Sequence, residues 1–177
     1  MFMTKLKIGM KAPNIELVDW RGSTFNLENV SGKKWIAFFR YASCPLCNLR
    51  VNEMIKRYEE LTKSGMQIIA IFQSEPESVA KYVGKQETPF LILCDPSENS
   101  YGRYGLQASI LGMMSPKNMA QLISAMKSGF RPGKMEGTIT RIPADFLIDE
   151  NNIIQEVYYG ETIGDHIPFV RVLKFTS

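Results

Sequence analysis

The chain has 177 residues, three cysteines, a single histidine and a formal charge of +3, with 45% of its residues hydrophobic and 22% charged. That is enough chain for a self-sufficient core without crosslinks, and too small and scattered a positive charge to argue for a nucleic-acid or membrane partner. Lys127, Arg131, Lys134 and Arg141 form a locally basic stretch broken by Glu136, read as a solvated surface.

The opening MFMTKLKIGMKAP lacks the apolar core of a secretory signal, and no later run approaches the roughly 18 apolar residues of a membrane span, so a cytoplasmic location is expected. Phe25 to Val30 and Lys34 to Phe39 read as two strands around a turn at Ser31-Gly32, the second apolar enough to be covered on both faces. From Pro45 to about Lys63, Leu46, Leu49, Met54, Tyr58 and Leu61 recur at helical spacing until Ser64-Gly65. Met66 to Phe72 is another buried strand, and Ser74-Glu75-Pro76 opens a short helix capped by Ser74 or Glu75. Phe90 to Cys94 follows as a strand and Ser97 to Tyr104 as a short helix. Strands alternating with helices imply an α/β sheet with parallel crossovers.

Ser115-Pro116 starts a helix that Gly129 ends, and its stripe of Met119, Leu122, Ile123 and Met126 reads as core filling. Phe146 to Tyr158 is a hairpin turning near Glu150 to Asn152, which makes the last part of the sheet antiparallel. Asp165 is placed to cap a final helix carrying Ile167, Val170 and Leu173. With no repeat or linker, one domain over 1–177 is expected.

The chemistry concentrates in FFRYASCPLC, where Cys44 and Cys47 stand between a strand and a helix. Proline at position 45 suits the first helical residue, which makes Cys44 the cap. Its sulfur then faces free amides and the positive end of the helix, which favour thiolate over thiol. Cys47 lies one turn later on the same face, within disulfide reach. Cys44 is expected to point outward and attack, while the shielded Cys47 resolves the resulting mixed disulfide or sulfenic acid. Zinc needs four ligands, and only Cys94 and His166 remain to supply them, so no metal and no cofactor is expected. Cys94 reads as a small buried hydrophobe.

The spacing Gly9-x-x-Ala12-Pro13, Leu17, Asp19 and Gly22 resembles the opening of the AhpC/TSA branch of the thioredoxin superfamily, followed by Gly32-Lys33, a hydrophobic strand and the active-site cysteine. Phe90 to Asp95, Tyr101 to Leu106 and Phe146 to Asp149 look like later elements of that branch. Arg40 before the first cysteine, the insertion around Met113 to Gly133 and Gly164-Asp165-His166 are similar to its CxxC-containing peroxiredoxin-like group. The resemblance implies a thioredoxin-like fold: a central mixed sheet flanked by helices, with an N-terminal extension and a helical insertion near 113–133. Typical peroxiredoxins place Thr or Ser three residues before the cysteine, Pro seven before, and an Arg ahead of the later strand. Here those positions hold Tyr41, Ala37 and Pro143. Ile142-Pro143 instead resembles the cis-proline that faces the CxxC in thioredoxins, which implies a cis bond and a substrate groove shaped by Pro143.

Arg40, and less readily Arg50, can stabilise the Cys44 thiolate, or each can pair with a carboxylate on the surface. Tyr41 can donate to a substrate oxygen or pack on the helix. Asp145 can accept a proton from Cys47, pair with Arg141 or cap a strand end, and His166 reads as part of a capped helix start. Two chemistries follow: reduction of a peroxide, favoured by the resemblance, or exchange with a protein disulfide, favoured by the local residues. In both, an external dithiol such as a thioredoxin, or a small thiol, resets the Cys44/Cys47 disulfide. A redox-responsive binding module without turnover is the reading from a different class.

Overall fold

A computed structural model of the chain describes residues 4–177, so the first three residues of the expected domain and of its N-terminal extension lie outside the description. Seven strands form one mixed sheet. In chain order these are β1 (Glu16–Asp19), β2 (Thr24–Asn26), β3 (Lys34–Phe38), β4 (Gln67–Phe72), β5 (Leu91–Cys94), β6 (Ala144–Ile148) and β7 (Ile154–Tyr159). Their order across the sheet is β2-β1-β5-β4-β3-β6-β7. β3, β4 and β5 run parallel, while β6 and β7 continue antiparallel on one side and β1 and β2 on the other.

Alternation along β3 shows why its run is continuously apolar. Trp35 and Ala37 enter one buried cluster, Ile36 and Phe38 the other, so both faces of the sheet are covered. On the first face lie α1 (Pro45–Lys56) and the last helix, α7 (Phe169–Thr176), whose Phe169 meets Trp35 edge to face. The other face is filled by Tyr101 of α4 (Asn99–Arg103) and by Tyr104, whose rings pack on Phe38.

Several boundaries differ from the sequence reading. The helix expected to run to about Lys63 breaks at Arg57, whose N–H is shared among carbonyls of the preceding turn, and resumes as α2 (Tyr58–Thr62). Phe25 to Val30 is not one strand hairpinned to β3: after β2 the chain turns through a short 3-10 segment, and β2 pairs with β1. Residues of β1 alternate between exposed and half-buried, but with only Leu17 and Val18 apolar the stretch carries no alternation signal in sequence. Asp165 does not cap the last helix. Its carboxylate accepts from Tyr158 Oη and the Glu161 N–H instead, and α7 begins only after Pro168.

Between β5 and β6 the chain adds the insertion. α3 (Pro76–Lys81) follows β4, and the insertion holds α5 (Ile110–Met113) and α6 (Lys117–Lys127), which packs across α1. Of the apolar stripe of α6 only Leu122 packs against the core. Asn118 and Ala125 occupy its buried face, Asn118 donating to the carbonyls of Gly112 and Met113 at 2.9 Å each, and Leu122 is half-buried. Met119, Ile123 and Met126 are left exposed. Gly129 ends the helix with φ of 88°, a conformation that disfavours side chains.

Candidate active site

The handover from β3 to α1 places both cysteines. Cys44 is the N-cap of α1, with Pro45 in the first turn, and its Sγ accepts from the Cys47 N–H at 3.5 Å. Asn48, a turn after Cys44, fixes the loop behind it: Nδ2 donates to the carbonyls of Ala42 at 2.8 Å and Cys44 at 3.0 Å. Gln86 Nε2 donates to Asn48 Oδ1 at 3.0 Å, and the Ala42 N–H donates to Ser74 Oγ at 2.9 Å. Asn48 escaped the sequence reading, and Ser74, expected as a possible helix cap, serves the Ala42 amide while Glu75 takes the cap position. A polar residue four after the cysteine, on the same helix face, was the available signal for Asn48.

Arg40 stands against the sulfur, its Nη1 donating to Cys44 Sγ at 3.4 Å and its guanidinium lying 4.9 Å from the Tyr41 ring centre. Its Nη2 donates to the Ile139 carbonyl. Burial pushes the Cys44 thiol up, but the Cys47 side chain, the Arg40 guanidinium and the amides of Cys47 and Leu46 outweigh it, and the thiol falls to about 6. Cys47 moves the other way, well above the ordinary thiol range, because burial and the adjacent Cys44 both oppose a second negative charge. At neutral pH the pair is one thiolate on Cys44 and one thiol on Cys47. The geometry can therefore present a nucleophilic sulfur with a proton-bearing partner beside it.

The expected contrast in exposure between the two cysteines does not hold. Cys44 has 0% and Cys47 1% of its surface exposed. A strap that follows the insertion, residues 132–139, is hydrogen-bonded across the loop that precedes α1. Ser43 Oγ donates to the Lys134 carbonyl at 2.5 Å, and Gln73 Nε2 to those of Glu136 at 2.9 Å and Thr138 at 3.0 Å. Cys44 is nevertheless part of the wall of a cavity of about 420 Å³. Its other walls include Arg40, Tyr41, Leu46, Met113, Met114, Met119, Leu122, Pro132, Met135, Ile139 and Ile163. Among the described residues Arg40 is the only charged one on its walls, and four methionines give it a soft, adaptable lining.

Pro143 takes a different place from the one foreseen. The Ile142–Pro143 bond is trans, there being no cis peptide among the described residues. The segment is already extended: the Ile142 N–H donates to Gln107 O and the Pro143 carbonyl accepts from Gly160, so no turn requires the costlier isomer. Pro143 is not among the cavity walls around Cys44; it borders a small separate hollow with Ser109, Tyr159 and Glu161. Arg50 is not at the sulfur either. It lies over Phe169 at 3.8 Å and donates to the Ile167 carbonyl at 2.6 Å.

Asp145 does not pair with Arg141, which binds Glu98. It is fully buried, with Oδ1 accepting from Trp35 Nε1 and Oδ2 from the Ile167 N–H, each at 3.0 Å, and Oδ2 3.0 Å from His166 Nδ1. Burial pushes its carboxyl up, but His166 and Arg50 outweigh this and hold it below the usual carboxylate range. The His166 ring lies 4.6 Å from that of Phe39. Its hydrogen bonds tie β6 to the approach of α7, and none goes to a cysteine.

The AhpC/TSA family model matches residues 8–157, so the chain belongs to the AhpC/TSA family. It is 27% identical to peroxiredoxin Bcp of Escherichia coli K12 over 165 residues, covering 93% of this chain and 92% of that one. It is 31% identical to the thiol-disulfide oxidoreductase ResA of Halalkalibacterium halodurans over 102 residues, 57% of this chain and 58% of ResA. The chain thus matches little more than half of ResA. Among solved structures it is similar to peroxidoxin BcpB of Mycobacterium tuberculosis, with a TM-score of 0.71 and 16% identity, covering 97% of this chain and 96% of that one. The fold is the thioredoxin-like one.

Proposed function

We propose that this member of the AhpC/TSA family, a thiol-dependent oxidoreductase, works as a single-domain thiol peroxidase through Cys44 and Cys47. The observation that carries the reading is the Cys44 sulfur held at a helix start with Arg40 at 3.4 Å, on the wall of a largely apolar cavity.

In the first step the Cys44 thiolate attacks the outer oxygen of a hydroperoxide. The S–O bond forms as the O–O bond breaks, sulfur is oxidised to sulfenic acid, and the inner oxygen leaves as an alkoxide that takes its proton from water to become the alcohol. Arg40 is the one cation on the cavity wall, and it stabilises the charge moving onto the peroxide oxygens. It stands in for the arginine that the family places where this chain has Pro143. Cys47 then gives its sulfur to Cys44, the S–S bond forms, and the hydroxyl departs as water with the Cys47 proton. An external dithiol, a thioredoxin or a small thiol, reduces the disulfide. The apolar walls favour an organic hydroperoxide over hydrogen peroxide.

Similarity to ResA and the CxxC support a second reading, exchange with a protein disulfide. Burial of both sulfurs weighs against it, since a polypeptide must displace the strap to reach Cys44. Stopped-flow oxidation of the reduced protein, followed by mass mapping, separates the readings. Fast loss of thiol with an organic hydroperoxide, ending in a Cys44–Cys47 disulfide, is expected. Slow peroxide reaction with fast reduction of a model protein disulfide gives the second reading, and rates no better than a free thiol in both refute enzymatic activity. Cys47→Ser is expected to keep the first step and stop at sulfenic acid.

A further inference from the structure

The insertion that covers Cys44 is also the most apolar part of the surface. Leu111 is 84% and Met114 73% exposed, and Ile110, Met119, Ile123 and Met126 are each exposed by about half or more. Three of them, Met119, Ile123 and Met126, form one stripe along α6 that starts at the Cys44 cavity, whose walls include Met114 and Met119. Charge is as one-sided as polarity. Between Glu98 and Glu136 the chain carries Arg103, Lys117, Lys127, Arg131 and Lys134 and no carboxylate. Lys117 meets Glu161 at 3.6 Å and Lys134 meets Glu136 at 3.1 Å, whereas Lys127 and Arg131 are exposed with no carboxylate partner among the described residues.

We infer that α5, α6 and the turn between them form a peripheral docking face for an anionic lipid bilayer, with the Cys44 cavity opening beside it. Side chains as exposed as Leu111 stand clear of the surface; a protein partner must be hollowed to receive them, while fluid acyl chains accept them without a matched shape. Lys127 and Arg131 then meet the anionic headgroups at the edge of the apolar stripe. A second copy of this chain fits less well, because a symmetric contact brings the same cations of both copies together. No helix among the described residues is long and apolar enough to cross a membrane, so the contact is with the surface. The sequence reading takes the basic stretch from Lys127 to Arg141 as solvated surface, whereas the structure places Lys127 at the end of α6, on the helix that carries the exposed apolar stripe, with Arg131 just beyond it.

The test is co-sedimentation of the full chain with vesicles of phosphatidylcholine alone and of phosphatidylglycerol and phosphatidylcholine in equal parts. Binding is expected only to the anionic vesicles and is weakened by salt. The variants Leu111→Ser/Ile123→Ser and Lys127→Glu/Arg131→Glu change only exposed side chains, so each is expected to keep the parent melting transition and to lose about tenfold or more in vesicle affinity. Cys44→Ser is expected to bind as the parent does, which separates this face from the thiol chemistry. Absence of binding, equal binding to both vesicle types, or variants that bind like the parent overturn the inference. A dimer in sedimentation equilibrium that Leu111→Ser/Ile123→Ser dissolves assigns the face to a second copy and overturns it too.

Discussion

Two cysteines end neighbouring parts of the same sheet edge and have opposite characters. Cys44 follows β3 and Cys94 closes β5, on either side of β4, and both are buried, at 0% and 2% exposure. Yet Cys44 falls to about 6, whereas burial and then the carboxylates of Asp19, Glu75, Glu77 and Glu136 push Cys94 up to about 12. Burial is common to both, so it does not set the sign. What faces the sulfur does. After β3 the sulfur itself takes the helix-start amide of Cys47 and a guanidinium. After β5 those positions go to the Asp95 carboxylate, which accepts from the N–H groups of Asn99 at 3.3 Å and Ser100 at 2.8 Å, leaving Cys94 among acids.

The sharpest way to break the comparison is to exchange each sulfur for oxygen. Cys44→Ser is expected to reduce hydroperoxide turnover to background, by several orders of magnitude, while Cys94→Ser keeps parent turnover; a steady-state assay coupled to a dithiol reads both. Removing the cation comes next. Arg40→Met is expected to raise the Cys44 thiol toward its ordinary range and to lower thiolate content and the peroxide rate near neutral pH by roughly tenfold.

The pH profile separates the two sites without mutation. For a thiol whose folded value is depressed, thiolate is present above that value and lost below it. Thiolate absorbance and the rate of a small alkylating reagent are therefore expected to rise through about 6 for Cys44 and to stay level above it, with Cys94 silent throughout the neutral range. In the region after β5, Asp95→Ala leaves the amides it serves without an acceptor and is expected to cost about 1–2 kcal/mol in denaturant unfolding, with peroxide turnover kept. The smallest effect is expected from Cys94→Ala, within about 1 kcal/mol of parent stability.

Legibility in the sequence followed the distance over which each feature is decided. The strand, the cap cysteine, Pro45 and the helix lie within one short stretch, and their order requires only local preferences. Buried β4 and the β6–β7 hairpin were equally plain, since continuous apolar runs and a turn carry their own signal. The apolar stripe of α6 was legible as a stripe but not as a surface. Which face a helix buries depends on its neighbours, and here Asn118 and Ala125 face inward.

By itself the sequence determined the alternation of strand and helix from β3 to β5 and set a cysteine at a helix start with a second one turn on, because backbone geometry and capping act between near neighbours. Only the tertiary structure decided how that cysteine is enclosed. Ser43 meets Lys134 across 91 residues, Asp145 is committed to Trp35 and His166 rather than to Arg141, and Pro143 stays in an extended trans segment and borders a separate hollow. Such contacts depend on which segments the sheet order brings together, and a buried polar group takes whichever partner the packing offers it.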